Sequence, residues 1–267
     1  MRKIVAIIKS LLSLIVTAIV YIIYATGLFF IRLFNKPFEP WRNRCLKVWG
    51  TLVLRCLSTK IEIKGTPPEP PFFLVSNHLS YLDIPVYYSC LKNTFVSKAE
   101  VKDWPVVGLM ARTLGIIFID RKRKRDVHRV NSVISSKIND KQGVILFPEG
   151  KTSAGDKILP FRPSLLQHPA IEGLDVHYAA IRYQTGKGDQ PARHSVSWWD
   201  DSSLGEHLIR LASNKSIIAE VTFGDISIQK EDRKELASEL QKRVESVFIP
   251  MSQAVHSGTA ENPKVTA

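Results

Sequence analysis

The sequence predicts an α/β fold, a layered domain built on a central sheet, behind an N-terminal membrane-anchoring helical segment. Three observations predict it. Beyond Ser58, short β-rich runs, several of them apolar throughout, alternate with stretches of helical character, as in a sheet buried between helices. From Ser10 to Ile31, 22 residues pass without a charge, which as a helix would measure about 33 Å, enough to cross the hydrocarbon core of a bilayer. The charge is also uneven: of a formal +12, nine basic residues and one acid before residue 59 leave +8 there, and only +4 for all that follows. Basic proteins invite a nucleic-acid reading, but charge crowded beside the most apolar segment points to anionic lipid instead. No nucleic-acid partner is expected. With 45% hydrophobic and 23% charged residues, a disordered or collagen-like chain is excluded.

The charge-free run reads as an anchor, not a cleaved signal, because it leaves through Gly27-Leu28-Phe29-Phe30-Ile31 without a small-x-small exit. A turn-forming cluster, Asn35 to Pro40, follows. From Trp41 to Leu57, Leu46, Trp49, Val53, Leu54 and Leu57 recur at helical spacing, with Arg42, Lys47 and Arg55 opposite. Such a helix would lie in the membrane interface, or serve as a core helix of the following domain. Basic residues flank both ends of the anchor, so a single crossing and a hairpin dipping into one leaflet both stay open. Expected strands are Lys60–Lys64, Phe72–Ser76, Thr94–Ser97, Ile116–Ile119, Val144–Phe147, Val176–Tyr183, His194–Trp199 and Ile217–Val221. Helices are expected at Pro85–Cys90, Lys102–Thr113, Asp126–Asn139, Ser164–Gln167, Leu204–Ala212 and Glu231–Val247. The chain thus divides into an anchor and interfacial helix (1–58), an α/β domain (59–250) and a polar, disordered tail (251–267).

Cys45, Cys56 and Cys90 are odd in number and without paired short spacing, so they read as buried hydrophobes of a reduced compartment. No metal site is expected.

Three segments carry chemistry. In Ser76-Asn77-His78-Leu79-Ser80-Tyr81-Leu82-Asp83 an apolar strand delivers an imidazole, with a carboxylate five positions on. One turn would bring Asp83 to Nδ1 of His78 and leave Nε2 as a base for an alcohol. A histidine merely capping a strand end would give the same sequence. Gly143 to Thr152 ends in Gly-Lys-Thr but is no nucleotide loop: Ile145 stands where the first glycine is required, and Pro148 has no N–H. The turn can still present Glu149 and the Gly150 amide to a polar substrate. Gly115 to Arg121 is a buried strand ending in Asp120-Arg121, and the Arg121 fork suits a phosphate. Lys122 to Arg125 are expected to face solvent or lipid headgroups.

In this order the segments resemble the glycerolipid acyltransferase family: Asn77-His78 to Asp83 its first block, Gly115 to Arg121 its second, and Phe147-Pro148-Glu149-Gly150 its third, with Phe95 to Glu100 a recurrent element between the first two. Trp198-Trp199-Asp200-Asp201 followed by His207-Leu208 looks like bacterial members. The resemblance implies a central mixed sheet flanked by helices, with His78 as general base and Asp83 as its orienting partner. It implies that Arg121, Glu149 and Gly150 hold the acceptor's phosphate and glycerol part, with Lys98 a further phosphate contact. The partners implied are membrane lipids, a lysophospholipid acceptor, and acyl-CoA or acyl carrier protein as donor; no cofactor, metal or acyl-enzyme is required. Lys151, Pro163-Ser164 and the proline-free Val176 to Ala179 depart from the family's blocks. They leave the acceptor open between 1-acyl-sn-glycerol 3-phosphate and another lysolipid such as lyso-ornithine lipid. A Ser-His-Asp hydrolase finds no Gly-x-Ser-x-Gly elbow, since Gly150 to Gly155 has one residue too many before Ser153. A non-enzymatic basic membrane-binding module would leave the three blocks to coincidence. Acyl thioesters are cytosolic, so the catalytic domain is expected on the cytosolic side of the inner membrane.

Overall fold

The computed structural model describes residues 2–104, 106–119 and 133–252. The charge-free run lies within helix α1 (Arg2–Leu33), where Ser10, Ser13 and Thr17 donate their hydroxyls to carbonyls four residues back, so these polar groups need no other partner. Asn35, in the left-handed region at φ 49°, turns the chain. Helix α2 (Glu39–Cys56) then starts with a proline in its first turn, where the missing N–H costs nothing.

Among the described residues seven strands form the sheet: β1 (Thr59–Lys64), β2 (Phe73–Ser76), β3 (Asn93–Lys98), β4 (Ile117–Ile119), β5 (Gly143–Leu146), β6 (Val176–Thr185) and β7 (Ile217–Phe223), in the order β1-β7-β6-β2-β5-β3-β4. Every neighbouring pair is parallel except β6 and β7. The mixed sheet flanked by helices is therefore as expected. The helices are α3 (Asp83–Cys90), α4 (Val107–Thr113), α5 (133–137), α6 (Gln167–Ile171), α7 (Ala192–Ser195), α8 (Leu204–Ala212) and α9 (Arg233–Val247).

Strand alternation sorts the apolar side chains into two layers. Leu74, Ile145, Ile181 and Val221 face α2 and α3, through Leu54, Leu57, Val86 and Tyr87. Phe73, Val75, Val144, Leu146, Tyr178 and Ala180 face α9, through Leu236, Leu240 and Val244. α2 and α3 approach closely because position 50 is glycine: a Cβ there would lie 2.5 Å from the Pro85 carbonyl oxygen.

Three expectations are corrected. His194–Trp199 is no strand: α7 and an irregular segment occupy it, and Val196 and Ser197 are buried without a ladder, their N–H groups donating to the Ala192 carbonyl. Lys102–Thr113 is not one helix but a 3₁₀ turn (Ala99–Asp103) and then α4, because Trp104 precedes a proline and is extended at φ −69°, ψ 132°. Arg42 is not on a polar face. It is fully buried, donating to Asn43 Oδ1 (2.7 Å), the Leu114 carbonyl (3.3 Å) and Gln142 Oε1. Helical spacing marks Lys47 and Arg55 as exposed, which they are, but does not reveal that the loops carrying Leu114 and Gln142 close over Arg42. α2 thus packs one face into the domain core through Leu46, Val53 and Leu54. The first half of the expected helix Asp126–Asn139 and all but the start of the polar tail lie outside the described residues.

α1 lies along this domain over its whole length. Ala6, Ser10, Ser13, Val20, Tyr24 and Leu28 form its buried stripe. Arg2 donates to the Gly188 carbonyl, Lys9 to the Asn214 carbonyl, and Tyr24 to the Thr113 carbonyl (2.7 Å). Between its charged ends, the rest of its surface, including Ile4, Leu11, Ile15, Ile22 and Phe29, is mostly apolar and exposed.

Replacing Arg42 with Met should cost about 3 kcal/mol, because Gln142 Oε1 and the carbonyls of Leu114 and Asn93 lose a charged donor. Chemical denaturation will measure this, and an unchanged midpoint would show that the network is dispensable.

Candidate active site

Strands β2, β5, β3 and β4 are parallel, so their C-terminal ends share one edge of the sheet, the usual place for a site in such folds. β2 delivers His78 to this edge. Asn77, 1% exposed, extends the β2–β6 pairing by one residue with its side chain: Nδ2 donates to the Ile181 carbonyl (2.9 Å) and Oδ1 accepts from the Ile181 N–H (2.8 Å). The amide mimics a peptide group and fixes the strand end.

The chain then turns into α3, whose first residue is Asp83. Its Oδ2 lies 2.7 Å from His78 Nδ1 and accepts from the N–H groups of Leu79 (2.8 Å) and Ser80 (3.2 Å); its Oδ1 accepts from the Tyr183 hydroxyl (2.6 Å). With no exposed surface and four donors, this carboxyl group is held as an acceptor. The hydrogen of the imidazole is therefore on Nδ1. No described residue bonds Nε2, and the His78 side chain is 21% exposed, so a lone pair is open to substrate. The ring lies flat against Phe147, centroids 4.1 Å apart and planes 8° off parallel, which sets its orientation.

Phe147 follows β5, and the next turn holds Glu149 and Gly150. Gly150 sits at φ 76°, in the left-handed region glycine tolerates, and its N–H donates to the Phe147 carbonyl (3.1 Å). Glu149 is 2% exposed, and both its oxygens accept backbone N–H groups, from His78 (2.9 Å) and Leu159 (3.2 Å). Burial pushes its carboxyl up to about 8, against the two N–H bonds that pull it down. The His78 carbonyl in turn accepts from the Ser153 N–H (2.9 Å). The two loops are thus joined on both sides of the His78 peptide.

The structure brings His78, Asp83, Glu149 and Gly150 together. Lys98 ends β3, opposite Ile119 of β4 in register, at the same edge. Arg121 lies outside the described residues. Sequence reasoning missed Tyr183. It is fully buried on β6, where burial first and then the Asp83 charge push its phenol upward, so it remains a donor. The available signal was a tyrosine in step with Ala179 and Ile181 on an otherwise apolar strand face.

A family model described as Acyltransferase matches residues 59–175. A 1-acyl-sn-glycerol-3-phosphate acyltransferase from Neisseria meningitidis serogroup B is 32% identical over 210 residues, covering 77% of this chain and 81% of the relative. The chain belongs to the acyltransferase family. Another relative, a lyso-ornithine lipid O-acyltransferase from Brucella abortus, is 31% identical over 229 residues, covering 81% of this chain and 86% of its own. The crystal structure of the 1-acyl-sn-glycerophosphate acyltransferase PlsC from Thermotoga maritima is 20% identical with a TM-score of 0.64, covering 92% of this chain and 97% of that one; the fold is shared. The residues matched by the acyltransferase model include every residue expected at the site, while Tyr183 lies beyond its end.

Tyr183→Phe should lower kcat about tenfold while costing about 1–2 kcal/mol of stability, because Asp83 Oδ1 keeps its burial and loses its donor; kinetics and thermal denaturation test both. Glu149→Gln tests the raised carboxyl. Its folded value lies above the ordinary 4.5, so its favourable contribution is full below about pH 4.5 and lost as pH rises through about 8. The stability of the native protein relative to Glu149→Gln should therefore fall between pH 5 and pH 9, and a flat difference would contradict the assignment.

Proposed function

We propose that this acyltransferase moves an acyl group from acyl-CoA or acyl carrier protein to the free hydroxyl of 1-acyl-sn-glycerol 3-phosphate, giving phosphatidic acid for phospholipid synthesis. The observation that carries the reading is the His78–Asp83 pair at the sheet edge, with Nε2 bonded by no described residue. Nε2 takes the proton of the acceptor hydroxyl as its oxygen bonds to the thioester carbonyl carbon. Collapse of the tetrahedral adduct breaks the carbon–sulfur bond, and the imidazolium returns the proton to the departing thiolate. Asp83 stabilises that imidazolium and holds its tautomer. The reaction so written uses no metal, no cofactor and no acyl-enzyme. Arg121 and Lys98 are assigned the acceptor's phosphate. Glu149, with both oxygens on backbone N–H groups, acts by holding the loop of His78, and Gly150 shapes the turn beside it.

An apolar cavity of about 250 Å³ between α1, α2, α3 and α4, lined by Val20, Tyr24, Leu46, Trp49, Met110 and Leu114 among others, supports a substrate with a hydrocarbon chain. The exposed apolar surface of α1 supports attachment to a bilayer. The contacts of α1 with the domain from Arg2 to Leu28 favour an anchor lying in one leaflet over a single crossing, which would draw residues 188 and 214 into the lipid. In this reading the domain works on the cytosolic side of the inner membrane, where acyl thioesters are found.

A second acceptor, lyso-ornithine lipid, is favoured by the Brucella abortus relative, similar over a slightly longer span. The test is a panel of lysolipids with labelled acyl-CoA and acyl carrier protein. Lysophosphatidate should be the best acceptor, and His78→Ala should lose at least 10²-fold in kcat while still pelleting with membranes. Full activity of that variant, or no transfer to any lysolipid by the native chain, would overturn the reading.

A further inference from the structure

Between α7 and α8 the chain runs across both loops of the site. Trp198 is the point of contact. Its N–H donates to the carbonyl of Leu79 (2.8 Å), the neighbour of His78, and its carbonyl accepts the hydroxyl of Thr152, three residues beyond Glu149. One residue therefore ties the two loops together, apart from the bonds that the His78 peptide makes itself. The indole donates to the Ser202 carbonyl (3.0 Å) and meets Tyr81 edge-to-face, centroids 5.4 Å apart. Tyr81 belongs to the same loop as His78 and Asp83.

This strap is pinned from α8 by His207, which has no exposed surface. Its Nε2 lies 3.0 Å from the Ser197 carbonyl and its Nδ1 3.0 Å from the Tyr81 hydroxyl. A carbonyl only accepts, so Nε2 carries the hydrogen and Nδ1 accepts from Tyr81. Burial lowers the imidazole to about 4, which keeps it neutral near pH 7. α8 is itself fixed by a capping box in which Ser203 and Glu206 satisfy each other's N–H groups. Packing alone would be met by a leucine. An imidazole bonded at both nitrogens specifies one arrangement of the segments it joins.

We propose that His207 is a positioning residue: through Ser197 and Tyr81 it holds the Trp198 strap, and through the strap the spacing between the loop of His78 and the loop of Glu149. This rests on the acyl-transfer reading, in which Nε2 of His78 must meet the acceptor hydroxyl in one geometry, and loss of alignment is costly.

Three full-length variants test it. His207→Leu removes both bonds, Tyr81→Phe removes one and keeps the ring, and His207→Gln supplies an N–H and an oxygen that can replace both nitrogens. With acyl-CoA and lysophosphatidate, His207→Leu and Tyr81→Phe should lose about tenfold in kcat with both KM values within about twofold, while His207→Gln stays within about threefold of the native enzyme. Hydrogen exchange of residues 77–83 and 147–153 should quicken in the first two and not in the third. Native kcat in both His207→Leu and Tyr81→Phe, a loss confined to KM, or a glutamine variant as slow as the leucine one would overturn the proposal. Where His207→Leu fails to fold, Tyr81→Phe decides. A native enzyme inactive on every acceptor would instead sink the acyl-transfer reading, and hydrogen exchange alone would then judge the strap, with unchanged protection counting against it.

Discussion

Everything at the sheet edge depends on the carboxylate of Asp83, which collects four hydrogen bonds where no water reaches it. Two come from the turn that links the histidine to the helix, one from the histidine, and one from a strand a hundred residues further on. A buried carboxylate with fewer partners would leave lone pairs unsatisfied, at a cost in free energy. With all four in place, the turn, the imidazole and β6 have a single mutual arrangement, and the proton of the imidazole has a single position. Loop conformation and chemical readiness are settled by the same atom.

The sheet makes that arrangement reachable. Parallel strands bring His78, Glu149 and Lys98 to one edge although they lie up to 71 residues apart, and the two apolar layers leave the strands little freedom to slide. Glu149 shows how far the local structure serves the histidine: its buried carboxyl holds the His78 backbone, and the peptide's other side is held by Ser153. The His78 backbone is thus as constrained as its ring.

What was legible in the sequence was what is local. His78 and Asp83 stand five residues apart, so one turn joins them, and the pair could be read from spacing. The strands β2 and β5 were legible because they are apolar on both faces. Arg42 was misread because helical spacing tells which residues share a face, not what will pack against it; the loops bearing Leu114 and Gln142 are far along the chain. His194–Trp199 reads as a strand for a related reason. Its buried side chains resemble strand residues, yet Trp198 spends its backbone groups on two separate loops. Tyr183 and His207 act across 100 and 126 residues, and nothing near them in sequence announces their partners.

The embrace of α1 by the domain has a consequence for biosynthesis. Lys9 of α1 finds its acceptor at Asn214, 205 residues later, and at roughly 5–20 residues per second that partner leaves the ribosome about 10–40 s after the helix does. For that interval the most apolar segment of the chain has no domain to lie against. Lipid is a surface that can cover such a helix on every side, so on the proposed reading the bilayer is where it would wait. On the proposed lysolipid reading, attachment of α1 to the bilayer would precede closure of the domain, which would then be built at the surface that supplies its acceptor.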